Sequence, residues 1–396
     1  MERRSKAAGI EERRLSEIER SGDATKKESR QIAASLGIPD YALTIPHLPI
    51  KPLPQDFRTK GNVSPTYGLR GLQAIYEMQS LADFAAMLGE KLQITPTFEQ
   101  YVTDSFGVLS PDKPQKVVDA LKSLTNYHFE EITEDTSAPE LFSAFRLAIE
   151  ARNVLIVCER LINEAYRGFC LSGTKFPIIY INTYKQSHRI RNFTIIHELV
   201  HLLVGRPGVV DPFNTRSGIE RVCNSITAQF LLPAKEFKAF AIELRRKSPK
   251  DWVDSVSANL PFSKFFVALR MQEVFEEKRF VNEWLSTLPR KIHLVETEGD
   301  FNSYDLTDQD LISIDEFVVS EDKDGLEGEL FSPRQTAASY QVNRLGGAVI
   351  GLVESALSAQ LISKYDVYDQ LKVKTTVIDN AAKSARQKRS RVRKLR

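Results

Sequence analysis

Two histidines four residues apart, His197 and His201, stand in an otherwise apolar stretch with Glu198 between them. Phe193, Ile195, Ile196, Leu199, Val200, Leu202 and Leu203 surround them, so the segment must lie under other structure, and its few polar groups need a reason to be there. On a helix, residues four apart sit about 40° apart around the axis and about 6 Å apart along it, so both imidazoles can meet one metal ion. Glu198 lies about 100° from His197, close enough to approach a metal-bound water without replacing it. Zinc hydrolysis requires this arrangement: the metal draws the pKa of water toward about 7 and the carboxylate takes its proton. The pattern therefore predicts one zinc ion held by His197 and His201, with Glu198 as general base.

A catalytic zinc site uses three protein ligands and keeps a fourth position open. No further histidine follows at the metzincin spacing, where Gly208 and Asp211 stand instead. The leading third ligand is Glu220, near the start of a helix expected over residues 218–232 and sharing its face with Cys223 and Asn224. Asp211 is the second candidate. His47, His128, His188 and His293 are expected to be ordinary histidines, His188 at a loop or helix start. Tyr180 and Tyr184 are the nearest hydroxyls for stabilising an oxyanion, but their sequence positions assign neither.

The surrounding pattern predicts an α+β fold: a mainly helical chain with a small mixed sheet packed on the histidine helix. Short β-branched or apolar runs at 154–157, 168–171 and 177–181 read as strands, the last two joined by a turn at Ser172-Gly173. Four prolines between 46 and 54 exclude a helix or central strand there and mark a linker. The expected divisions are helices over 1–46, a linker over 47–62, a helical region over 63–136, the histidine-bearing domain over 137–240, a mostly helical region over 241–380 and a basic disordered tail over 381–396.

Three cysteines without a Cys-x-x-Cys pair fit a reducing compartment. The charged start from Glu2 carries no secretion signal, and the longest uncharged apolar stretch, residues 345–353, is about half of what a membrane span needs. A cytoplasmic protein with no membrane partner is expected. The net charge of +2 hides an asymmetry: residues 383–396 hold eight basic residues and no acid, whereas residues 296–329 hold thirteen acids and one lysine. The basic run is expected to be solubilising, with phosphate contact to nucleic acid as the functional alternative.

The stretch Arg191-Asn192-Phe193-Thr194-Ile195-Ile196-His197-Glu198-Leu199-Val200-His201-Leu202-Leu203 resembles the ImmA/IrrE metallopeptidases. So does Glu220-Arg221-Val222-Cys223-Asn224, followed by a helix that ends in Leu231-Leu232-Pro233. The resemblance implies a zincin-like peptidase domain and makes Glu220 the third zinc ligand. Val200 stands where glycine is frequent, and Ile226-Thr227 where Phe-Ala is usual; neither touches an implied ligand. Residues 7–39 resemble the later helices of a lambda-repressor-like helix-turn-helix domain whose first helix is missing. Arg13, Arg14 and Ser16 are the nearest candidates for DNA contact there, against the repulsion of Glu11, Glu12, Glu17 and Glu19.

Two functions follow as expectations. The first is a zinc-dependent site-specific endopeptidase, which the resemblance directs at a regulatory protein such as a repressor of a mobile element or stress response. The alternative is a helix-turn-helix transcriptional regulator with a structural or sensory metal. Expected partners are a protein substrate, DNA through the N-terminal helices or the basic tail, and, as an open alternative, a second copy of the chain.

Overall fold

The computed structural model describes residues 8–36, 69–161, 167–184, 186–205, 218–287 and 336–394, with short pieces at 43, 209–210, 295–296 and 304–305. The expected linker, Asp211, His47, His293 and most of the acidic stretch lie outside these residues.

Local signals set the helix ends. Helix α1 (Glu12–Ser21) stops at Gly22, whose left-handed φ of 72° returns its N–H to the Ile18 carbonyl. Helix α2 (Lys26–Leu36) opens with a reciprocal cap: the Glu28 N–H donates to Thr25 Oγ1 and the Thr25 N–H to Glu28 Oε2. Ala8, Ile10 and Leu15 make a small core here, with Ile32 against it. Then come α3 (Leu69–Lys91), α4 (Phe98–Phe106), α5 (Pro114–Thr125) and α6 (Ala138–Glu150). Pro114 and Pro139 occupy first turns, where a missing N–H costs nothing.

Strands β1 (Leu155–Glu159), β2 (Gly168–Leu171) and β3 (Ile178–Asn182) precede α7 (His188–Leu203), and β4 (Val209–Val210) follows it. The sheet order is β1-β3-β2-β4, with β1 parallel to β3 and the other pairs antiparallel. Apart from the half-buried Glu159 that ends β1, the residues of β1–β3 are buried on both faces, which is why these segments read as nearly unbroken apolar runs. Ile156, Cys158, Cys170, Ile179 and Ile181 share a core with α7. Leu155, Val157, Phe169, Leu171, Ile178 and Tyr180 join the opposite core with α3 and the C-terminal helices.

Downstream lie α8 (Gly218–Leu231), α9 (Ala234–Glu243), α10 (Pro249–Ala258), α11 (Lys264–Phe275) and α12 (Phe280–Ser286), then the short pair β5 (Val295–Glu296) and β6 (Tyr304–Asp305). Helices α13 (Ala337–Ser358), α14 (Lys364–Leu371) and α15 (Thr375–Lys394) complete the described chain. No helix among the described residues is long and apolar enough to cross a membrane.

Two expectations change. The boundary at 240 is not a structural one: Phe237, Trp252, Phe262, Phe266 and Trp284 share the core of the histidine helix. The tail expected to be disordered from 381 is helical as far as Lys394, because α15 is anchored by Ile378, Ala381, Ala382 and Ala385. Strand β3 is central in the sheet, flanked by β1 and β2.

One buried ion pair fixes α13 to the sheet. Arg146 donates to Glu150 Oε1 at 2.9 Å, to the Asn343 carbonyl at 2.6 Å and to the Ile156 carbonyl at 2.6 Å. Glu150 Oε2 accepts the N–H groups of Gly347 and Ala348 at 3.0 and 3.2 Å. Between these contacts α13 breaks at Gly346, with φ 77° and ψ 168°. The cation thus meets the carbonyl end of one half-helix and the anion the N–H end of the next, so both dipoles are complemented. A Cβ on Gly346 would lie 2.7 Å from the Arg146 guanidinium and 3.0 Å from the Ile156 carbonyl oxygen, in a backbone region essentially reserved for glycine. Gly346→Ala should therefore lower the unfolding free energy by at least about 2 kcal/mol in urea titrations, and a loss below about 0.5 kcal/mol would mean that the break tolerates a side chain.

Candidate metal centre

Helix α7 is buried along 14 of its 16 residues, so it runs through the protein rather than over it. Polar residues in its first half bracket neighbouring loops. Arg189 donates to the carbonyls of Ser257, Leu260 and Phe262 at 2.9, 2.7 and 3.1 Å. The Asn192 amide reaches the carbonyls of Ala138 at 3.2 Å and Pro261 at 3.0 Å. These bonds hold the starts of α6 and α11 against the helix, and with them the angle at which its second half is presented.

That second half carries His197, Glu198 and His201, all fully buried. Helix α8 lies across it and buries Glu220, Cys223, Ile226, Thr227 and Phe230 on the facing side. His197 Nε2 is 3.3 Å from Glu220 Oε2, His201 Nε2 is 3.2 Å from Glu220 Oε1, and the two Nε2 atoms are 3.0 Å apart. Two ring nitrogens and a carboxylate so close in a dry interior are placed to share a cation. Ligands at zinc bond lengths of about 2.0–2.1 Å in a tetrahedron stand about 3.3 Å apart, so this donor set fits zinc. His197, His201 and Glu220 are also the cluster of metal-binding groups found among the described residues.

The outer ring atoms have neighbours suited to fixing tautomers. Cys223 Sγ lies 3.9 Å from His201 Nδ1. His197 Nδ1 and Asn224 Oδ1 are both buried without a strict hydrogen-bond partner, and they are complementary as donor and acceptor. Burial pushes the His197 imidazole below its ordinary pKa, against the pull of Glu220 and Asn224. Burial also opposes charge on His201, but contacts with Cys223 and Glu220 outweigh it and raise that group. For Glu220 burial acts upward, and hydrogen bonds from both histidines overcome it, bringing the carboxyl to about 2. The apolar wall beside His197 is Phe193, stacked 5.8 Å away between centroids and held by Phe266.

Glu198 is different. Both of its carboxylate oxygens are buried without a strict hydrogen-bond partner, and burial raises the carboxyl well above its usual range. His201 and the Cys170 thiol oppose that rise only in part. Gly168 on β2 lets the strand come close: a Cβ there would lie 3.0 Å from Glu198 Oε1 and 2.9 Å from the Tyr180 carbonyl oxygen. A carboxylate kept dry and poor in donors beside a metal-binding triangle has the properties of a general base.

Other expected residues fall elsewhere. Tyr180 stacks on Phe169 at 4.7 Å in the core on the far side of the sheet, so it is not an oxyanion donor. The Tyr184 ring lies under the Arg160 guanidinium at 5.5 Å. His188 begins α7 and packs on Phe142, with Nε2 3.3 Å from Arg191. His128 is exposed. In the N-terminal helices Arg14 pairs with Glu28 at 2.8 Å, Arg13 stands 3.8 Å from Glu17, and Ser16 donates to the Glu12 carbonyl. Sequence reasoning missed Gly168, Cys170 and the bracketing role of Asn192. The period-two parity of β2, which puts 168 and 170 on one face, was the available signal for the first two.

A small mixed sheet under a buried His-Glu-x-x-His helix, with a carboxylate from the next helix beside both rings, is the α+β arrangement of a zincin-like domain. Residues 149–271 match the family model for the IrrE N-terminal-like domain (Peptidase M78), the family that the motifs around His197 and Glu220 resemble. The match begins beyond the N-terminal helices and ends in α11, inside the core that contradicts a boundary at 240. No curated protein and no solved structure gave a significant match.

Two measurements follow. Zinc at a hundred times its dissociation constant should stabilise the chain by about 2.7 kcal/mol, and His201→Ala or Glu220→Ala should abolish that gain. In the metal-free chain the raised Glu198 carboxyl favours folding while it is protonated, a contribution present at acid pH and lost as pH rises through the raised value. Glu198→Gln should therefore stabilise the metal-free chain by roughly 1–3 kcal/mol at pH 8 and by less at pH 5, as read from urea unfolding at each pH.

Proposed function

We propose that this protein is a zinc-dependent, site-specific endopeptidase that acts on a regulatory protein. The observation that carries the proposal is the pairing of a three-donor triangle, His197, His201 and Glu220, with a buried Glu198 alongside whose hydrogen-bonding neighbour is the weak Cys170 thiol donor. His197, His201 and Glu220 would hold the ion. Zinc bound there supplies Lewis acidity toward a scissile carbonyl and a water of lowered pKa. Glu198 takes the proton from the attacking water and returns it to the leaving amine, and its dry surroundings keep the proton affinity needed for both transfers.

The donor set favours this reading over a structural or sensory metal. A structural zinc site is closed by four protein ligands, whereas this cluster brings three among the described residues. An extended substrate would meet the sheet at β4, the outermost strand, because β3 is interior and β1 is covered by α13. The family resemblance supplies the substrate class: a helix-turn-helix repressor rather than bulk protein.

The test uses purified full-length protein with the helix-turn-helix regulators encoded beside its gene, and follows cleavage by mass spectrometry. Glu198→Gln should keep one zinc per chain and lose about a hundredfold to ten-thousandfold in cleavage rate. Undiminished cleavage by that variant would rule out the mechanism; full zinc occupancy with no cleavage by the unaltered protein would favour the regulator.

A further inference from the structure

The C-terminal half of α15 plays no part in the peptidase site. Residues 383–394 read Lys-Ser-Ala-Arg-Gln-Lys-Arg-Ser-Arg-Val-Arg-Lys, seven cations in twelve positions with no acid after Asp379. A charge run of this kind is ordinarily a solvated, fluctuating segment. Here the backbone is helical through Lys394 and continuous with a half that is built into the protein. Ile378, Ala381, Ala382 and Ala385 are buried in the core shared with α13, and Arg386 donates twice to Glu354 of α13 at 2.9 Å. Arg386 and Gln387, just past Ala385, are exposed, and the sequence carries cations on to Lys394.

We infer that α15 is a nucleic-acid-binding arm: a basic helix clamped at its first half, whose second half engages the phosphates of a duplex. Charge and shape both favour this partner. Twelve residues of helix span about 18 Å, a length over which duplex DNA presents about ten phosphate charges, and the major groove admits an α-helix. An anionic membrane is a poorer match, since a helix lying on lipid needs an apolar face with Trp, Phe or Leu, and residues 386–394 offer only Val392. The run also contains no aromatic residue on which unpaired bases could stack, which favours a duplex over a single strand. Recognition should be independent of sequence, because evenly distributed cations read phosphates rather than base edges. The N-terminal helices are weaker candidates, because Arg14 is already paired with Glu28 and Arg13 is flanked by glutamates. Because residues 296–329 add thirteen acids to the chain's overall charge, binding is measured on the full-length protein.

Full-length protein is titrated into a fluorescein-labelled 30-base-pair duplex of arbitrary sequence at several KCl concentrations, and binding is read by anisotropy. The expected plot of log K against log[KCl] is linear with a slope of about −4 to −6, corresponding to five to seven phosphates neutralised. Lys388→Gln, Arg389→Gln, Arg391→Gln and Arg393→Gln combined should weaken binding at least about tenfold at low salt and make the slope shallower by about 3 to 4. Glutamine keeps helix propensity, and unchanged circular dichroism and thermal midpoint confirm that the fold is intact. Arg13→Gln with Arg14→Gln should leave both quantities unchanged. Absence of binding at 50 mM KCl, dependence on Arg13 and Arg14 in place of the α15 residues, or tighter binding to phosphatidylserine-containing vesicles than to the duplex would each overturn the inference.

Discussion

The burial of α7 is the constraint from which the rest of the structure follows. A helix enclosed on nearly every side cannot leave polar side chains to water, so each one it carries must be matched from within the protein. Its first half meets the requirement by binding carbonyls of neighbouring segments through Arg189 and Asn192. Its second half meets it only in part: two ring nitrogens face each other and Glu220, and Glu198 has no strong donor. Structural satisfaction at one end and deliberate deficit at the other divide the helix into a mount and a working part. The deficit is tolerable because a divalent cation would supply what the protein withholds.

The two faces of the sheet have separate tasks. The face toward α7 contributes Gly168 and Cys170, which set how closely the backbone of β2 approaches Glu198. The opposite face, with Phe169 and Tyr180, is given over to packing against α3 and α13. Because side chains alternate across a strand, a one-residue slip of β2 would exchange these roles, removing the space at Gly168 and placing Phe169 against the carboxylate. The register with β3, Gly168 opposite Ile181 and Leu171 opposite Ile178, is therefore a requirement of the site as well as of the core.

Much of the site was legible from the chain alone. The spacing of His197 and His201 on an apolar helix is a local property, and so is the placement of Glu220 near the start of the next helix. The contribution of Gly168 was hidden, because it depends on how closely two elements approach in space and only the parity of a four-residue strand hinted at it. Tyr180 was misjudged for a related reason: nearness in sequence says nothing about which face of a fully buried strand a hydroxyl occupies. The boundary expected at 240 failed because a gap between two helical patterns looks the same whether the helices share a core or not. The helical basic segment was missed because its support comes from a short run of alanines packed on α13, and such small residues leave little trace in a hydrophobic pattern.

The bracket formed by Arg146, Glu150 and the break at Gly346 joins segments nearly two hundred residues apart in the chain. Helix α13 shares a hydrophobic core with β1, β3 and α3, so its seat on the sheet is set by packing and charge, not by the covalent route that leads to it. Severing the backbone anywhere between 287 and 336 would leave two polypeptides that remain assembled as a split protein.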